Sequence, residues 1–133
     1  HVIDFGTGTG VLAILAEKLG AASVLAIDND EWSINNATEN FIKNDCTKIM
    51  LSQAETIPAE HKASILLANI NLNIIIACLD DIRNACMPDA LILFSGIMVK
   101  DKATILDELI RKNFIISDCI TRHEWLIISV KVG

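Results

Sequence analysis

Three of the six glycines in this chain lie in one heptapeptide, Asp4-Phe5-Gly6-Thr7-Gly8-Thr9-Gly10, between an apolar run and a helix-forming stretch. That placement restricts the fold more than any other feature. Glycines grouped at a strand-to-helix junction let the chain turn sharply and let a ligand touch the backbone. A ligand lodged there, at the carboxyl end of a first strand, also meets the unpaired N–H groups that open the helix. Residues 2–5 read as a short buried strand and residues 11–19 as a helix, with Gly20 where a helix-terminating glycine belongs.

The rest of the chain repeats the alternation. Residues 23–27 form a second apolar strand that ends at Asp28. Asp30 suits the N-cap of a helix over 31–44, with Trp32, Ala37 and Phe41 among its apolar positions. Strands are expected over 48–51, 63–68 (running into Asn69) and 90–94, and helices over 73–86 and 101–112. Pro58 and Pro88 are placed at element boundaries. The end differs: residues 114–120 alternate apolar and polar, and 124–132 follow after a brief turn, so they read as two antiparallel strands. Strands separated by helices imply an α/β fold, Rossmann-like and doubly wound, with a mostly parallel seven-stranded sheet and a C-terminal antiparallel hairpin.

Composition excludes several functions. A chain of 133 residues is one domain by size. Its 52% hydrophobic and 21% charged residues are those of a packed globule. The longest apolar runs, Val11 to Ala16 and Ile74 to Leu79, fall far short of the ~20 residues a membrane helix needs. Lys plus Arg number 11 against 17 Asp plus Glu, a net charge of −6 that repels nucleic-acid phosphates. The one basic cluster (Lys100, Lys102, Arg111, Lys112) is interrupted by Asp101, Asp107 and Glu108 and reads as a solvated mixed-charge face, so nucleic-acid binding is not expected. Cys46, Cys78, Cys86 and Cys119 are scattered among apolar neighbours. They read as buried free thiols of a cytoplasmic protein, with no metal site among them. His1, His61 and His123 read as surface or hairpin residues.

The glycine spacing narrows the ligand. The residue three beyond Gly8 is Val11, so the G-x-G-x-x-G dinucleotide fingerprint is missing, and no lysine follows Gly10 as a phosphate-binding loop requires. A G-x-G-x-G loop preceded by Asp4 suits a cationic or zwitterionic group instead. Asp28, about twenty residues on at the end of the second strand, can accept both hydroxyls of a ribose. Together these features imply an adenosine-containing ligand without phosphates.

The segments Val2-Ile3-Asp4-Phe5-Gly6-Thr7-Gly8-Thr9-Gly10-Val11-Leu12, Ala26-Ile27-Asp28-Asn29-Asp30, and Glu39-Asn40 with Asn44 resemble a class I S-adenosylmethionine-dependent methyltransferase. With Ala68-Asn69-Ile70 and Ser95-Gly96-Ile97 added, the chain is most similar to the ribosomal protein L-eleven methyltransferase family, over essentially its whole length. The resemblance implies that Asp4, Gly6, Thr7, Gly8 and Gly10 hold the methionine end of S-adenosylmethionine and that Asp28 takes the ribose. Gln53 and Ala54 would lie beside the adenine amino group, where the family has an Asp, and Asn29 would replace an apolar residue against the ring. The resemblance also implies a recognition domain ahead of residue 1, so that residues 1–133 are the cofactor-binding methyltransferase domain of a longer protein.

Asn69, at the end of the fourth strand, admits two readings: a cap for the following helix, or a catalytic amide that aligns an acceptor amine beside the methyl. Asn69-Ile70-Asn71-Leu72 lacks the Pro-Pro that follows this Asn in methyltransferases acting on planar amides and bases. A flexible aliphatic amine is therefore favoured, implying a lysine or α-amino group of a protein, ribosomal in the family resembled. Two alternatives stay open from the residues: a non-catalytic nucleotide-binding domain, and a dinucleotide-binding domain, which the glycine spacing opposes.

Overall fold

A computed structural model describes all 133 residues. Twelve elements follow one another along the chain. Strands β1 (Val2–Phe5), β2 (Val24–Asp28), β3 (Ile49–Gln53) and β4 (Ala63–Asn69) come with helices α1 (Val11–Lys18), α2 (Glu31–Lys43) and α3 (Leu72–Asn84). Strand β5 (Cys86–Met98), a 3₁₀ turn (Val99–Asp101), helix α4 (Lys102–Arg111), and strands β6 (Phe114–Arg122) and β7 (Trp125–Val132) complete it. The seven strands form one sheet in the order β3-β2-β1-β4-β5-β7-β6. Pairs among β1 to β5 are parallel, whereas β7 runs antiparallel to both β5 and β6.

Helices cover the sheet on both faces, unequally. Ile3, Phe5, Leu25 and Ile27 point toward α3 and α4 and join a core of 21 buried residues with Ile75, Leu79, Ile105 and Leu109. On the other face a smaller core of six, including Val2, Ala26, Ala13 of α1 and Phe41 of α2, holds the two N-terminal helices. Because β1 is buried on both faces, its four residues are apolar but for Asp4. Helix α1 ends in a Schellman turn: Gly20 at φ 103° lets Gly20 N–H reach the Glu17 carbonyl (3.0 Å) and Ala21 N–H the Ala16 carbonyl (3.0 Å).

The fifth strand departs from expectation. It is thirteen residues long, and helix α3 stops at Asn84 rather than Cys86. Pro88 therefore lies inside a strand and not at an element boundary. It is accommodated because pairing with β4 jumps from Ala63↔Cys86 to Ile65↔Leu91, leaving a bulge that contains Pro88 and Asp89, the latter at φ 62°. A residue without an N–H group sits in a sheet only where pairing is interrupted. A second irregularity, around Gly96 at φ 77°, lets β5 continue to Met98 and pair with Trp125 of β7. The four cysteines are free, yet each is half-buried rather than buried, and burial lifts the Cys86 thiol to about 11. No helix is long and apolar enough to cross a membrane.

Candidate functional site

The loop after β1 is held in shape by the protein itself. Gly6 and Thr7 N–H both donate to the Ile27 carbonyl (2.8 Å each), which ties the turn to β2. Gly8 N–H donates to Asp28 Oδ2 (2.9 Å), and Asp30 N–H to Asp28 Oδ1 (3.0 Å). Asn40 of α2 donates its side-chain amide to the Thr9 carbonyl (2.8 Å). Two glycines are required by their surroundings as well as by their positive φ. A side chain at Gly6 would strike Ile70, and a Cβ at Gly10 would lie 2.5 Å from the Phe41 ring. Gly8, at φ 56°, faces open space. Gly10 then stands as the N-cap of α1 with no side-chain cap; the Ala13 amide is turned to Asp4, and the Val11 and Leu12 N–H groups are left available to a ligand.

Beneath the loop lies the one acidic residue of the core. Asp4 is 1% exposed; its Oδ2 accepts from the Thr7 hydroxyl (2.6 Å), and its Oδ1 has no partner. Burial pushes its pKa up to about 6, against the Thr7 hydrogen bond and the Ala13 amide, which lower it; the charge of Asp28 adds to the rise. A buried carboxylate with an empty lone pair is costly unless a partner completes it.

Two cavities meet at Gly6. One, about 260 Å³, is lined by Asp4, Gly6, Thr7, Gly8, Thr9, Val11, Leu12 and Asn69. The other, about 190 Å³, is lined by Phe5, Gly6, Asp28, Asn29, Ala54, Glu55, Ile70 and Ile74. The first combines a buried anion with free helix amides, a donor set for a group that carries both a positive and a negative charge. The second has Phe5, Ala54, Ile70 and Ile74 as apolar walls, with the carboxylates of Asp28 and Glu55 in its lining.

Nearly all of the residues singled out in the sequence come together here. Gln53 and Gly10 are the exceptions. Gly10 is buried against the Phe41 ring, in neither lining, and the exposed Gln53 side chain, also outside both, donates to the Asn29 carbonyl (3.3 Å), which leaves its own oxygen free. Glu55, Ile70 and Ile74 were not anticipated as walls. Ile70 lay within a family-like segment, whereas nothing in the sequence marks Glu55. Asn69 is exposed at the end of β4, and the N-cap of α3 is Asn71, whose Oδ1 accepts from Ile74 N–H (3.0 Å). The capping role thus belongs to Asn71, and the Asn69 amide is free to face the cavity it lines.

A seven-stranded sheet in this order, with its antiparallel strand and a glycine loop over β1, is the fold of the S-adenosylmethionine-dependent methyltransferases. Among solved structures, a ribosomal protein L11 methylase from Lactobacillus delbrueckii subsp. bulgaricus superposes with a TM-score of 0.94 at 30% identity, over 99% of this chain and 69% of that one. A glycopeptide N-methyltransferase, MtfA, complexed with S-adenosyl-L-methionine shares the fold alone: TM-score 0.80 at 12% identity, over 99% of this chain and 86% of that one.

The chain belongs to the ribosomal protein L11 methyltransferase (PrmA) family, whose sequence model matches residues 1–132. The ribosomal protein L11 methyltransferase of Chlorobaculum tepidum is 40% identical over 131 residues, covering 94% of this chain and 45% of the relative. That of Acetivibrio thermocellus is 38% identical over 133 residues, covering 98% and 42%. The chain thus spans less than half the length of these curated relatives.

Proposed function

We propose that the protein containing this chain is an S-adenosylmethionine-dependent methyltransferase acting on lysine or α-amino groups of a ribosomal protein, L11 being the substrate in its relatives' names. The observation that carries the reading is the unpartnered oxygen of Asp4, on a residue that lines one cavity with Gly8 and Asn69. The residues fit the cofactor. Asp4 completes its hydrogen bonding against an ammonium, the α1 amides take a carboxylate, Asp28 takes ribose hydroxyls, and the slot between Phe5 and Ile74 takes a base. Asn29, Ala54 and the free oxygen of Gln53 lie at that slot or beside it.

When bound, S-adenosylmethionine would supply an electrophilic methyl group to a neutral amine nitrogen. The protein's task is then alignment. A lysine amine, pKa ~10.4 in water, must be deprotonated before it attacks. The Asn69 carbonyl accepts a hydrogen bond from it and so directs its lone pair. A net charge of −6 favours a basic protein over RNA as the acceptor. Residues 1–133 serve as the cofactor-binding domain, with acceptor recognition shared by the rest of the longer protein, in the cytoplasm.

Calorimetric titration with S-adenosylhomocysteine and NAD, together with methyl transfer to purified ribosomal protein L11, tests the reading. Binding of the former alone and label in L11 are expected. Preference for NAD, or no binding at all, would overturn it.

A further inference from the structure

Beyond Asn69 an open groove of about 410 Å³ runs between the start of α3, the end of β5 and the start of β7. Asn71, Asn73, Gly96, Lys100, Asp101 and Trp125 are among the residues that line it. Gly96 in its lining comes against Asn69, which lines the cavity already described. A Cβ on Gly96 would lie 2.7 Å from Asn69 Oδ1 and 3.1 Å from the Ile70 carbonyl, so only a glycine there leaves the Asn69 amide in place. The Asn69 side chain therefore stands between the groove and the cavity that holds Asp4.

Three features of the groove have no structural use. Trp125 is 51% exposed, although it sits beside Met98 in the sheet, where an indole could be covered. Asp101 is half-buried at the start of α4, yet its carboxylate caps no N–H and joins no ion pair. Asn73 makes no side-chain hydrogen bond, and Asn71 spends only its oxygen on the cap. An aromatic face, a free carboxylate and spare amide donors together match an extended peptide bearing an aliphatic amine and a second positive charge.

We propose that this groove is the acceptor channel: the methylated segment of the substrate protein lies along it, with an amine stem packed on Trp125, a neighbouring cation on Asp101 and peptide carbonyls on Asn71 and Asn73. The amine then passes Gly96 to reach Asn69. This rests on the methyltransferase reading above and gives it a substrate-binding surface. Lys100 lines the same groove and repels a cation beside it, which leaves Asp101 as the place where one is held.

The test uses the full-length protein with purified ribosomal protein L11 as acceptor, and the variants Trp125→Ala, Trp125→Phe and Asp101→Asn. KM and kcat for L11 are measured alongside calorimetric affinity for S-adenosylhomocysteine. Trp125→Ala should raise KM for L11 about tenfold and Trp125→Phe should restore most of it. Asp101→Asn should raise KM about threefold to tenfold, with the effect shrinking in high salt. Affinity for S-adenosylhomocysteine should stay within about twofold throughout, which also reports that the variants are folded. An unchanged KM in both Trp125→Ala and Asp101→Asn, with the parent active, overturns the channel alone. Equal loss of S-adenosylhomocysteine affinity does the same, since the groove would then serve the cofactor. A parent that neither binds S-adenosylhomocysteine nor methylates L11 overturns the methyltransferase reading and the channel with it.

Discussion

Replacing Asp4 with asparagine should make the protein more stable at neutral pH and a poorer binder of its cofactor. Asp4 is 1% exposed, and burial raises its pKa from 3.8 to about 6. The folded chain thus holds this proton more tightly than the unfolded one. Its stabilising effect is complete below pH 3.8, declines at up to ~1.4 kcal/mol per pH unit as pH rises through the window, and is gone above 6. The loss across that window is ~3 kcal/mol. Asparagine keeps the shape and can still accept from Thr7, while any cost of its buried NH₂ group is independent of pH.

Urea unfolding of parent and Asp4→Asn from pH 4 to 8 isolates the effect, because Glu17 and Asp80, both held below the usual carboxylate range, titrate identically in the two proteins. The stability of the variant relative to the parent should climb by about 2 to 3 kcal/mol between pH 4 and 6 and then level off. Over the same substitution, S-adenosylhomocysteine affinity at pH 7.5 should fall by roughly tenfold to a hundredfold, the worth of one charge-assisted hydrogen bond. A difference in stability that stays flat across the range would refute the claim that Asp4 is held at a cost. Unchanged affinity would refute the claim that a ligand completes it.

Three further outcomes follow from the loop and its neighbours. Asp28→Ala should weaken S-adenosylhomocysteine binding by more than about a hundredfold in calorimetry, because the carboxylate anchors Gly8 and Asp30 and is the proposed partner of the ribose; affinity equal to the parent's would remove the ribose assignment. Gly8→Val should abolish binding with little loss of fold, since it fills the open space over the loop and strains a φ of 56°; a crystal structure of the complex with that space still vacant would count against it. Asn69→Ala in the full-length protein should lower kcat on L11 by about one to three orders of magnitude while cofactor affinity holds, if orientation is its contribution; unchanged turnover would leave the amide without a catalytic role.

Much of the fold was legible because its signals are local. Apolar runs such as 2–5 and 23–27, helices between them, and glycines at 6, 8, 10 and 20 mark parallel strands, crossovers and the ligand loop through periodicity and backbone freedom alone. Asp4 and Asp28 were readable for the same reason, since each closes or interrupts an apolar strand beside that loop. The tertiary structure decided what depends on register and approach. Pro88 sits within β5 only because β4 slips its pairing there, and Gly96 is needed only because the Asn69–Ile70 turn comes against it. Which asparagine caps α3 turned on two residues of helix phase, and Asn71 took the role that Asn69 could have filled. The shift of Asp4 and its empty lone pair arise from burial by neighbours distant in sequence, which no spacing encodes. Trp125 shares a groove with Asn71 and Gly96 because β7 folds back antiparallel beside β5, a pairing set by long-range packing and not by any local preference of the chain.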